Sequence, residues 1–192
     1  MAAAAMALAA CAVAPPPRGA QPTSPPTASA PVAPVAPIAP VAPAETAPPP
    51  EPSVAGCPDA GPARAAYRHA FAQALGDWRA ARGLARLRPD AGVETAAQRW
   101  AERLAAEGRL AHRAPDGAGV GDRLSAAGVP WRRAAENLAA GPLADPRALL
   151  ALWEGSPAHR RNLAAEDLSR AGLGIACRPD GDVVAALALA GP

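Results

Sequence analysis

Between Arg64 and Arg82, the apolar side chains of Tyr67, Phe71, Ala74, Leu75, Trp78 and Ala81 recur at helical spacing, and Gly83 follows as a left-handed stop. This predicts a first amphipathic helix. A second is predicted from about Ala91 to Glu107, with Val93, Ala97, Trp100 and Leu104 on one face and Gly108 at its end. A shorter one is expected around Gly121–Ala127 before Gly128, and a fourth over Pro146–Glu154. There Asp145 is placed to cap and Pro146 to open the helix. Near the end, Gly172–Cys177 and Val183–Ala190 are apolar runs separated by Arg178-Pro179-Asp180-Gly181-Asp182, a segment rich in reversal residues, which predicts a hairpin. A further strand is expected near Ala134–Ala139. Helices first and a hairpin last indicate an α+β domain, with helices covering a small antiparallel sheet.

The pattern stops short of the N-terminus. Residues 15–58 hold 16 of the 25 prolines, almost no charge and no aromatic side chain. Such a segment lacks the apolar bulk to offset chain entropy and many of the donors that helices and sheets use. It is expected to be an extended spacer. All four Trp residues follow residue 59, which leaves one domain's worth of chain. The expected organisation is therefore 1–11, 12–58 as a Pro/Ala-rich disordered tether, and 59–192 as the domain.

Met1–Cys11 is an apolar run too short to span a bilayer, closing in Leu8-Ala9-Ala10-Cys11. It reads as an export signal, and those four residues resemble the bacterial lipobox, in which the cysteine is acylated and becomes the new N-terminus. The expectation is a lipoprotein held to the cell envelope through Cys11, at the periplasmic or outer surface. Setting Cys11 aside leaves Cys57 and Cys177, an even count in an oxidising compartment, so these two are expected to pair. All 19 basic residues are Arg, interleaved with 17 acidic ones for a net charge of +2, which is no nucleic-acid footprint.

Four blocks occur in order: Arg79 to Leu87 with Gly83-Leu84; His112 to Gly117 followed by Gly121-Asp122-Arg123-Leu124; Ala135-Glu136-Asn137-Leu138-Ala139-Ala140-Gly141; and Trp153 to Leu163 with Ser156-Pro157-Ala158-His159-Arg160. Their order and spacing resemble the bacterial branch of the CAP superfamily of cysteine-rich secretory and pathogenesis-related (SCP-like) proteins. Together the blocks run through most of residues 64–190. The resemblance implies an α-β-α sandwich with a groove lined by two His and two acidic side chains. His112, Glu136 and His159 match three of the four. At the fourth position this chain has Ser156, with Glu154 nearby but out of line. Two glycines of the pattern are replaced, by Ala135 and Ala158, which matters only where positive φ is required.

Two imidazoles and a carboxylate can hold a divalent metal such as zinc, through His112 and His159, or can move protons; the spacing does not choose. No His-Glu-x-x-His helix is present. Asn137 is a candidate for ligand contact or for capping a turn, His69 for a helix-surface residue, and Trp131 for either an exposed platform or core. The Ser156–His159 pair lacks the strand-nucleophile-helix elbow of a serine hydrolase. The leading expectation is a binding module for a lipid, glycan or peptidoglycan fragment. A metal-assisted hydrolase with His112, Glu136 and His159 as its catalytic residues, and a structural adhesion unit, are the rivals.

Overall fold

The computed structural model describes residues 56–58 and 61–192, with the backbone of two short N-terminal strands, β1 (Ala7–Leu8) and β2 (Ala12–Ala14). The rest of the expected leader and tether lies outside the described residues. The chain continues through α1 (Gly61–Ala80), β3 (Arg88–Pro89), α2 (Ala91–Glu107), α3 (Val120–Ala126), β4 (Arg133–Gly141), α4 (Pro146–Gly155), α5 (Pro157–Ala164), β5 (Arg170–Cys177) and β6 (Val183–Gly191).

The sheet runs β1-β4-β6-β5-β3, with β2 also on β4. The expected antiparallel sheet is in fact mixed, because β3 pairs parallel with β5 through Arg88 opposite Arg170. Nothing in Arg88-Pro89 marks a strand, and a proline is tolerated there because the strand is an edge. The two main pairings, β4 with β6 and β5 with β6, are antiparallel.

One face of the sheet packs on α1, α4 and α5, where Phe71 meets Trp153 edge to face at 5.6 Å. The other packs on α2 and α3. This is the three-layer α-β-α arrangement that the resemblance implies. The first helix starts earlier than its periodicity suggested and ends at Ala80; the residues up to Gly83, at φ +71°, form the turn that follows. Trp78, Trp100 and Trp153 are all buried.

The β5 glycines set the spacing of the α2 layer. A Cβ on Gly172 would lie 2.2 Å from the Glu94 amide nitrogen, and one on Gly174 would lie 2.2 Å from the Ala97 carbonyl oxygen. The helix therefore rests on bare strand backbone. At the opposite end of β5, Cys177 is bonded to Cys57 across a Cα separation of 5.7 Å, as the cysteine count anticipated, fastening the segment before α1 to the sheet.

Helix α2 begins at Asp90, whose carboxylate accepts from the Gly92 and Val93 amides at 3.0 and 3.1 Å. Asp90→Ala is expected to cost about 1 kcal/mol in denaturant melts at neutral pH. The Val93 hydrogen bond holds the Asp90 carboxyl below the usual carboxylate range, against the opposing effect of burial. A depressed carboxyl stabilises fully above its unfolded pKa and ceases to do so as pH falls through the lower folded value. The melts of wild type and variant should therefore converge in acid; a gap that persists there would refute the cap as the cause.

Candidate functional site

Side chains alternate along β4, and the two cores identify the faces. Ala135 and Ala139 pack with α1, α4 and α5, whereas Ala134, Leu138 and Ala140 pack with α2, α3 and the segment around Ala114. Glu136 and Asn137 consequently serve opposite faces.

On the α2/α3 face, the Glu136 side chain is almost wholly buried and both its oxygens are engaged. Oε1 lies 2.8 Å from His112 Nδ1, and Oε2 accepts from the Arg123 guanidinium. Arg123 stands on α3, with its guanidinium carbon 4.0 Å above the Trp100 ring, and also donates to the carbonyls of His112 and Ala118 at 3.3 Å each. Burial pushes the Arg123 guanidinium below its ordinary pKa, and the Glu136 carboxylate pulls it back up. With a guanidinium on its other oxygen the carboxylate serves as the acceptor, and Nδ1 of His112 donates to it. That leaves Nε2 of His112, which is buried and has no hydrogen-bond partner among the described residues.

On the other face, Asn137 Nδ2 donates to the His159 carbonyl at 3.2 Å, and Asn162 Nδ2 donates both to Asn137 Oδ1 at 2.9 Å and to the Glu136 carbonyl at 3.3 Å. His159 and Asn162 both lie on α5 and are buried. The site residues expected from sequence thus form two linked groups. His112 meets Glu136 directly, and the backbone carbonyl of His159 accepts from Asn137 next door. Among the described residues, no group of three or more His, Cys, Asp or Glu side chains is gathered in a way that could hold a metal ion.

The remaining candidates fall elsewhere. Ser156 occupies the N-cap position of α5 without a side-chain capping bond, and Glu154 pairs with Arg82 at 2.6 Å. Asn137 lies mid-strand, so its amide spans between elements and does not cap a turn. Trp131 lies over Gly121, where a Cβ would meet its ring at 2.3 Å, and donates to Ser125 Oγ. Ala135 and Ala158 sit in a strand and a helix, and no described residue other than glycine has positive φ, so replacing those two family glycines leaves the backbone unstrained. His69 is exposed on α1, beside a cavity of about 250 Å³ lined by Phe71, Leu75, Leu87, Leu173 and Arg68. That cavity includes none of His112, Glu136 and His159.

Sequence reasoning missed three residues. Arg123 is the only basic residue of α3, but seven residues are too few for periodicity to show that it faces inward. Asn162 stood within the fourth matching block with no role assigned to it. Buried Arg79 donates to the carbonyls of Ala85, Leu163 and Ala165, joining α1 to the end of α5.

The family model of the cysteine-rich secretory proteins, CAP, matches residues 73–188. No curated protein matches. Among solved structures, an extracellular protein containing an SCP domain from Bacillus anthracis is similar at a TM-score of 0.60 and 23% identity, over 67% of this chain and 41% of that one. An outer surface protein of Borrelia burgdorferi is similar at 0.58 and 18%, over 63% and 89%. A cysteine-rich secretory protein of Staphylococcus aureus is similar at 0.52 and 16%, over 67% and 39%. The similarity therefore spans well under half of the Bacillus and Staphylococcus proteins, and at these identities it speaks to the fold.

Proposed function

This chain belongs to the cysteine-rich secretory protein (CAP) family, and from that membership we propose that it is an exported, lipid-anchored envelope protein whose His112–Glu136–Arg123 site binds a hydroxyl-rich ligand. The class that fits is a glycan or peptidoglycan fragment, or the hydroxylated headgroup of a lipid. Export accords with the lipobox-like Leu8–Cys11, with the Cys57–Cys177 disulfide, and with the extracellular and surface proteins that share the fold.

The observation that carries the reading is His112 Nε2. Arg123 and His112 Nδ1 both donate to Glu136, which fixes the imidazole, and among the described residues the second ring nitrogen, Nε2, has no hydrogen-bond partner. A buried ring nitrogen without a partner costs free energy, which an incoming hydroxyl, able to donate or accept there, would relieve. His112 is the member of the pair with some exposure, its side chain 14% accessible against 2% for Glu136.

A metal-assisted hydrolase would need more ligands than this site gathers. His112 could serve as one, oriented by Glu136 from behind, but the residues present do not form a protein-made cage.

The test is calorimetric titration of the full chain and its His112→Ala variant with three probes: solubilised muropeptides, phosphatidylglycerol vesicles and zinc chloride. The expected result is muropeptide or vesicle binding that weakens about fivefold in the variant, the equivalent of one hydrogen bond of about 1 kcal/mol. Equal affinity of both proteins for all probes would remove the site from ligand binding. Zinc binding that vanishes in the variant, accompanied by muropeptide cleavage, would favour the hydrolase.

A further inference from the structure

The outer edge of β4 is a long strand edge of Ala, Leu and Gly with charge only at Arg133 and Glu136, the kind that pairs with other chains unless covered. Here the chain covers it with its own N-terminal residues. Ala12, Val13 and Ala14 pair antiparallel with Glu136, Ala135 and Ala134, and Ala7 and Leu8 pair with Ala140 and Ala139. These strands belong to the same compact unit as the domain.

The two strands lie on opposite sides of Cys11. Cleavage before that residue would remove β1 and leave β2 in place. The register then has a spatial consequence: the residue that follows Cys11 is the one paired with Glu136, the glutamate of the His112 site.

We propose that Ala12–Ala14 remain on the β4 edge in the exported chain and hold its N-terminus beside the His112–Glu136 site. The clause about lipid rests on the lipoprotein reading above: if Cys11 is acylated, the bilayer lies at this edge of the domain, and the site faces ligands in or on the membrane. The 12–58 segment then does not act as a simple spacer between anchor and domain, because its first residues are part of the domain.

The test is hydrogen exchange read by mass spectrometry on the full exported chain purified in detergent, comparing wild type with the Ala12→Pro/Val13→Pro variant. Adjacent prolines remove donors on both sides of the strand and fix φ away from strand values. The expected result is at least tenfold faster exchange for one or two amides in peptides covering 133–137, with peptides from β5 and β6 unchanged. Equal exchange in this region for both proteins would overturn the proposal. The mass of the N-terminal peptide reports acylation separately. An acylated terminus with an unprotected edge refutes the docking and spares the lipoprotein reading, whereas a protected edge without acylation supports the docking and removes the membrane clause.

Discussion

Glu136→Ala should lower the unfolding free energy by about 3–5 kcal/mol in urea melts, because it strands Arg123 and His112 without their shared partner. Both side chains are only 14% accessible, so water can compensate little. A domain of this size is stable by about 5–15 kcal/mol, so the variant would stand near the folding threshold. Removing both charges is a different matter. In Glu136→Leu/Arg123→Met no buried charge is left over, and most of the lost stability should return, since apolar replacement of a buried ion pair is often neutral. A double variant as unstable as Glu136→Ala would mean that the carboxylate is required for packing, and that its pairing with Arg123 is incidental.

Loss of the disulfide should be as large. Cys57 and Cys177 are 120 residues apart, and opening a loop of that length costs about 4–5 kcal/mol in the chain-entropy account. Cys177→Ser, Cys57→Ser and the double variant should share one reduced midpoint, because each removes the same bond. Three different midpoints would point to packing of the individual sulfurs.

How far the sequence could be read depended on whether a residue's task is local. Helix α2 was predicted close to its ends from periodicity and Gly108, and the structure shows both ends set locally: Asp90 caps the first amides, and Gly108 takes the left-handed φ of +66° that stops the helix. The hairpin of β5 and β6 was legible for the same reason, since its turn lies in five consecutive residues. Strand β3 was not, because Arg88 and Pro89 are strand residues only through a partner 82 positions away at Arg170. Helix α5 was hidden by Ser156-Pro157, which reads as the end of α4 while also opening the next helix.

The site divides in the same way. His112 and Glu136 were found through the resemblance, and the structure brings them together. Arg123 lay within a matching block, yet its bond to Glu136 depends on the packing of α3 against β4 over Trp100, which no local pattern records. His159 is linked to that pair through the backbone: its carbonyl accepts from Asn137, which strand alternation places on the face opposite Glu136.

The bond from Asn162 to the Glu136 carbonyl gives that alternation a mechanical meaning. A single amide on α5 grips the backbone of one residue and the side chain of the next, and that backbone carries, on its far side, the carboxylate that orients His112. The Glu136–Asn137 stretch of β4 is thus held from both helical layers at once, by the Asn162 amide on one side and by Arg123 and His112 on the other, so the imidazole's setting depends on side chains from both.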